Sequence, residues 1–217
     1  MRGNFPILRG AAAACLLLAS AAATAIDLPS YRAGDTFIFS DGRVETALRT
    51  DGRDVIWRSG NGSRFTRPRN FVIPAVQWET SRTRGRRVVR GDHEKLWPLS
   101  ERRATRFRTV AEVRSEAEPL RRIAELWSCK AEGTERLVLA AGTFETRKIS
   151  CDRYSPANMR VQRRVNWFYS AEVGHYVRRE TIEFSNGRRS SIDLIAALHG
   201  RDANRAAIRS ILARLER

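Results

Sequence analysis

Three dipeptides recur at ten-residue spacing near the start of this chain: Asp41-Gly42, Asp51-Gly52 and Asn61-Gly62. Such Asx-Gly pairs favour the type I′ turn, whose two central residues both need positive φ. A chain that reverses every ten residues has room only for short antiparallel strands. The β-prone runs Thr36–Ser40, Arg43–Arg49, Asp54–Ser59 and Ser63–Arg67 fill the gaps. Phe37 and Phe39 alternate on one face, as do Val55 and Trp57 on the third run. The spacing therefore predicts an antiparallel meander over residues 26–80. Phe71–Thr80 continues it as an extended segment that Pro74 confines to an edge or a bend.

The second half reads as β as well. Arg103–Arg114 places Phe107, Thr109, Ala111 and Val113 on one face. Arg122–Leu139 and Thr143–Arg153 flank the turn Ala140-Ala141-Gly142, with Gly133 as a natural bulge. Arg160–Tyr169, His175–Phe184 and Arg188–Ala197 follow, the last two joined by Asn186-Gly187. Ala203–Leu215 then changes period. Ala207, Ile208, Ile211, Leu212 and Leu215 fall at helical spacing, with Asp202 as a candidate N-cap, so an amphipathic helix packed on the sheet is expected. Between the halves, residues 81–100 hold five arginines in one run and little apolar content. They are expected to form a junction, either a linker between two β units or a hairpin of one larger sheet, re-entering a core at Trp97-Pro98-Leu99. Residues 101–217 then make a second antiparallel β unit ending in the helix.

The first 25 residues bear on location. Arg2 and Arg9 precede the apolar run Ala11–Ala23, and Ala23-Thr24-Ala25 supplies a small-x-small cleavage pattern. This reads as a secretory signal cut after Ala25, giving a periplasmic or secreted protein. A lipoprotein signal ending at Cys15 is the competing reading, although the apolar stretch runs on through Leu16–Leu18. No later segment approaches the roughly 20 apolar residues of a spanning helix. Removing the signal leaves two of three cysteines, Cys129 and Cys151, each eleven residues from residue 140. Even thiol parity after export and the symmetry of the hairpin both predict a disulfide between them.

Charge bounds the partners. Without the signal, 38 basic residues face 24 acidic ones, a net charge of +14, and only Lys95, Lys130 and Lys148 are not arginine. Such a field attracts anions. Export removes nucleic acid from the candidates, so lipid head groups, lipopolysaccharide or acidic glycopolymers are expected. Arg82, Arg84, Arg86, Arg87 and Arg90 form the densest basic run. Trp167, Tyr169, His175 and Tyr176, followed by Arg178 and Arg179, combine aromatic faces with guanidinium forks. These two sets are the candidate ligand-binding residues. No nucleophile motif, phosphate loop, metal-ligand spacing or cofactor motif is present. Asp92, His93 and Glu94 are the one cluster that could serve a hydrolase.

Three stretches resemble motifs of uncharacterised secreted bacterial proteins. They are Ala141-Gly142-Thr143-Phe144, Ile149-Ser150-Cys151, and Trp167-Phe168-Tyr169 running on to Val173–Glu180. Over Arg103–Ala197 the arrangement is similar to the curved half-barrel of periplasmic lipoprotein carriers, in which a long antiparallel sheet wraps a helix. The resemblance implies a half-barrel and permits a carrier or sensor of an apolar ligand. It implies no catalytic residue, and the N-terminal meander lies outside the carrier pattern. The expected protein is thus mainly β, with antiparallel meanders or a half-barrel and a C-terminal amphipathic helix. Its expected role is non-catalytic binding of an anionic or amphipathic envelope component.

Overall fold

A computed structural model describes residues 25–216. The expected signal up to Thr24, and Cys15 within it, lie outside the described residues. Twelve antiparallel strands form one closed barrel. They are β1 (Thr36–Phe39), β2 (Val44–Asp51), β3 (Asp54–Ser59), β4 (Arg64–Pro68), β5 (Gln77–Glu79), β6 (Thr83–Gly91), β7 (Ala104–Ser115), β8 (Arg121–Leu139), β9 (Gly142–Tyr154), β10 (Val161–Ser170), β11 (His175–Glu183) and β12 (Arg189–Leu198). Each strand from β2 onward pairs with the next, and the short β1 pairs with both β2 and β12.

The half-barrel expectation is therefore corrected to a closed barrel. Closure comes from Phe37↔Ala197 and Thr36↔Leu198, residues about 160 apart in sequence. Without that pairing β1 and β12 would present open edges, each a row of unpaired backbone groups. The strands of 26–80 and those of 101–217 stand side by side in this one wall, and Thr83–Gly91 forms its sixth strand. Asx-Gly turns join the first strands as their spacing requires, with φ of +77°, +58° and +85° at Gly42, Gly52 and Gly62.

One end of the barrel is filled. After β4 the chain leaves the wall, and Phe71, Val72 and Ile73 plug the interior instead of continuing as an extended edge. Phe71 contacts the rings of Trp97, Trp167, Tyr169, His175 and Tyr176. Asn70 holds the plug by donating from Nδ2 to the His93 carbonyl (2.9 Å). A short 3-10 turn, His93–Leu96, and the buried Trp97 and Leu99 close the same end.

The C-terminal helix α1 (Arg205–Leu215) has none of its residues buried. Ala207, Ile208, Ile211 and Leu212 are half-covered, so the expected docking onto the sheet is only partial. Its N-cap is Asn204, whose side chain accepts from the amides of Ala206 and Ala207, in place of Asp202. Cys129 and Cys151 are direct register partners across β8 and β9, with Cα atoms 4.0 Å apart, and are compatible with a disulfide. The β8–β9 register shifts between Ala131 and Thr134, around Gly133. No helix among the described residues is long and apolar enough to cross a membrane.

Candidate functional site

Strand alternation sorts the arginines onto two surfaces. On β6, Arg84, Arg86, Val88 and Arg90 point outward, while Gly85, Arg87 and Val89 point in. On β7 the outward set is Arg106, Arg108, Val110, Glu112 and Arg114, and Thr105, Phe107, Thr109 and Ala111 are buried inside. On β8, Arg122, Leu126 and Lys130 continue the outer face. This wall thus exposes Arg84, Arg86, Arg90, Arg106, Arg108, Arg114, Arg122 and Lys130. Glu112 and Glu132 are the acids among them; Glu112 is engaged by Arg86 (2.8 Å) and Arg122 (3.8 Å), and Glu132 by Lys130 (3.2 Å). The Arg86 hydrogen bond holds the Glu112 carboxyl below the usual carboxylate range.

Two adjoining grooves cross this face and share Arg90 and Arg108. One, of about 400 Å³, runs past Arg86, Val88, Val110 and Arg122. The other, of about 410 Å³, runs past Arg106, Leu126, Tyr154 and the exposed Met159. Apolar atoms therefore lie between guanidinium groups. On these three strands the outer face is cationic, unlike the apolar band about 25 Å tall that a membrane-spanning barrel carries. It suits a surface that meets anionic groups from the side.

The interior holds the other candidates. Trp167, Tyr169, His175 and Tyr176 are buried, and His175 and Tyr176 are fully so. His175 stacks on Phe37 (4.2 Å between ring centres), and its Nδ1 shares a 2.8 Å hydrogen bond with the Tyr31 hydroxyl. Arg179 points in and lies over the Trp167 ring (5.5 Å). Arg178, the next residue, points out and forms a fork with Asp193 (2.6 and 2.8 Å). Arg82 sits in the β5–β6 turn, and Arg87 points inward over Trp78 (5.3 Å). The structure thus keeps the two sets apart. Arg84, Arg86 and Arg90 belong to the outer wall, and the aromatic set belongs to the core.

Sequence reading missed Arg106, Arg108, Arg114 and Arg122. They are scattered along the chain, and only the β6–β7–β8 register gathers them. The cluster proposed for a hydrolase is tied up in ion pairs. Asp92 pairs with Lys95, which lowers its pKa, and Glu94 pairs with Arg53 (2.6 Å). The His93 Nδ1 faces the Gly91 carbonyl (3.1 Å).

His175 also makes stability depend on pH. Burial holds its imidazole well below the ordinary 6.5, and the charge of Arg67 adds to this. As pH falls through about 6.5 the unfolded chain gains this proton and the folded chain does not. The contribution is therefore complete above that pH and lost below it, at up to about 1.4 kcal/mol per pH unit. Denaturant midpoints at about pH 7.5 and about pH 5.5 should fall for the native protein. They should fall by one proton's worth less for His175→Phe, and equal falls would show that the folded state protonates this ring.

No protein-family model matches this chain, and no curated protein matches it. Its backbone is similar to that of the hypothetical lipoprotein YmcC from Escherichia coli. The match covers 75% of this chain and 82% of that one, at 9% identity and a TM-score of 0.49. A candidate exported protein with a YmcC-like fold from Bacteroides fragilis is similar over 81% of this chain and 100% of its own, at 9% identity and a TM-score of 0.39. A candidate lipoprotein from Parabacteroides distasonis covers 80% of this chain and 99% of its own, at 12% identity and a TM-score of 0.40.

Proposed function

We propose that the chain is exported, with cleavage after Ala25 and a Cys129–Cys151 disulfide, and that it binds an anionic component of the cell envelope without catalysis. The contact surface is the outer face of β6, β7 and β8. One observation carries this reading: eight outward basic side chains stand on three adjacent strands, and the two outward acids among them, Glu112 and Glu132, are already paired. Arginine forks suit phosphate and carboxylate oxygens, and the apolar atoms of Val88, Leu126 and Met159 suit an amphipathic partner. The second candidate role, carriage of an apolar ligand inside the sheet, has less support. Phe71, Val72 and Ile73 occupy the interior that such a cargo would need.

Each basic side chain near an anionic membrane surface contributes about 1 kcal/mol, and the effect is screened within about 8 Å at physiological salt. Co-sedimentation of residues 26–217 with vesicles rich in phosphatidylglycerol should therefore show binding that weakens with added salt. Arg90→Ser/Arg108→Ser, which opens both grooves at once, should weaken it roughly 30-fold. The distant pair Arg205→Ser/Arg209→Ser on α1 should change it little. Salt-independent binding, or equal losses in the two variants, would remove the assignment to this face.

A further inference from the structure

We propose that the barrel interior contains a second binding site, for a small oxyanion of the phosphate type, built from the guanidinium groups of Arg43, Arg67 and Arg179 and the hydroxyl of Tyr176. It is distinct from the outer face and does not rest on the reading given for that face.

The site starts from strand register. Arg179 stands opposite Trp167 on the inner side of β10–β11, and its guanidinium lies 5.5 Å from the indole centre. Tyr176 packs against the same indole, with ring centres 4.8 Å apart. Arg67 enters from β4 over Phe65 (5.0 Å), and Arg43 enters from the β1–β2 turn over Phe39 (5.8 Å). Each guanidinium is thus seated on an aromatic face, which fixes its plane and leaves its edge N–H groups to donate.

The local charges do not balance. Arg43 is paired with Asp41 at 2.6 Å. Glu45, almost fully buried, is shared loosely between Arg43 (3.6 Å) and Arg67 (3.5 Å), well beyond the 2.7–2.9 Å of a tight charged hydrogen bond. Among the described residues Arg179 has no ion-pair partner, and its buried Nε donates to nothing. The Tyr176 hydroxyl is fully buried and equally unpartnered. Burial lowers the Arg179 pKa, and the like charges of Arg43 and Arg67 add to it while Tyr176 and Glu45 oppose. Burial, with the charge of Glu45, holds the Tyr176 hydroxyl well above its ordinary pKa and keeps it a neutral donor, while Arg67, Arg179 and Arg43 partly oppose this. A half-buried cation without an ion-pair partner and a buried hydroxyl without an acceptor are each costly. One oxyanion between them would satisfy both. Solvent reaches this end of the interior, since the Arg43 and Arg67 side chains are 26% and 14% exposed.

The test is a titration of residues 26–217 at constant ionic strength, followed by tryptophan fluorescence, because Trp167 lies beneath Arg179. Inorganic phosphate and monomeric dihexanoyl phosphatidic acid are the two probes, and the tighter one identifies whether free phosphate or a lipid head group is the source. Saturation by either probe, weakened at least tenfold in Arg179→Met and several-fold in Tyr176→Phe, is expected. Arg179→Met removes an uncompensated charge, so its thermal midpoint should be unchanged or higher, which keeps the variant usable. Arg90→Ser/Arg108→Ser should keep full phosphate binding, so failure here and failure of the outer-face reading are separable. A lack of saturation with both probes, or an undiminished response in Arg179→Met, would overturn the proposal.

Discussion

Trp57→Ala is expected to lower stability by about 3–5 kcal/mol, the range for deleting a large aromatic side chain from a well-packed core. Trp57 is 1% exposed and sits where several rings meet. Tyr31 meets it edge-on at 4.9 Å, Phe65 stacks parallel at 6.3 Å, and Phe37 and His175 lie 6.1 and 5.8 Å away. These neighbours come from Tyr31 in the segment before β1 and from β1, β4 and β11, so the ring ties together segments far apart in sequence. A domain is typically stable by only 5–15 kcal/mol, and this loss takes a large share of that. The denaturant midpoint of the variant measures it. A change below about 1 kcal/mol would show that the ring is not packed at a barrel centre.

Cys129→Ser/Cys151→Ser carries the next largest expectation, a loss of about 3 kcal/mol in the chain-entropy account for a loop of this length. The two residues are opposed on the longest hairpin, inside the barrel wall and fully buried. A bridge there holds β8 and β9 together in the unfolded chain as well as the folded one. Dithiothreitol should lower the midpoint of the native protein towards that of the variant and leave the variant itself unchanged. Intact-mass measurement after thiol labelling of envelope-isolated protein should find neither sulfur labelled. Two labelled sulfurs, or equal midpoints with and without reductant, would remove both the bridge and the oxidising location inferred from it.

Local turn chemistry was the legible part of this fold. Asx-Gly pairs at 41, 51, 61 and 186 mark reversals because positive φ at the glycine follows from the residue type alone. The opposition of Cys129 and Cys151 followed from symmetry about one turn. Closure was not legible, since nothing local in Thr36–Phe39 names Leu198 as its partner. β6 was hidden for a different reason. Its inward positions are Gly85, Arg87 and Val89, so the alternation of apolar residues is nearly absent. Gly85 is required there because the Trp78 ring lies on it: a β-carbon at this position would fall 2.2 Å from Trp78 Cζ2. Of the two readings open for this run, linker or hairpin of one larger sheet, the second is the observed one, with an inner face filled by its neighbour's indole.

The candidate site was legible in kind and not in place. Excess arginine pointed to an anionic partner, but which arginines act together depends on strand parity. Arg86 and Arg87 are adjacent in sequence and lie on opposite sides of the wall, as do Arg178 and Arg179. Arg90 and Arg108, eighteen residues apart, are direct register partners. The aromatic cluster Trp167–Tyr176 combined ring and cation as a binding hairpin would. Its rings are core, and Arg179 alone of its two arginines shares their side.

Arginine footprinting with phenylglyoxal, with and without anionic vesicles, tests the central assignment most directly. Arg84, Arg86, Arg90, Arg106 and Arg108 should react freely in the isolated protein and become protected together when vesicles are present, while Arg205 and Arg209 on α1 stay reactive. Protection spread evenly over the surface, or confined to residues outside β6–β8, would contradict it.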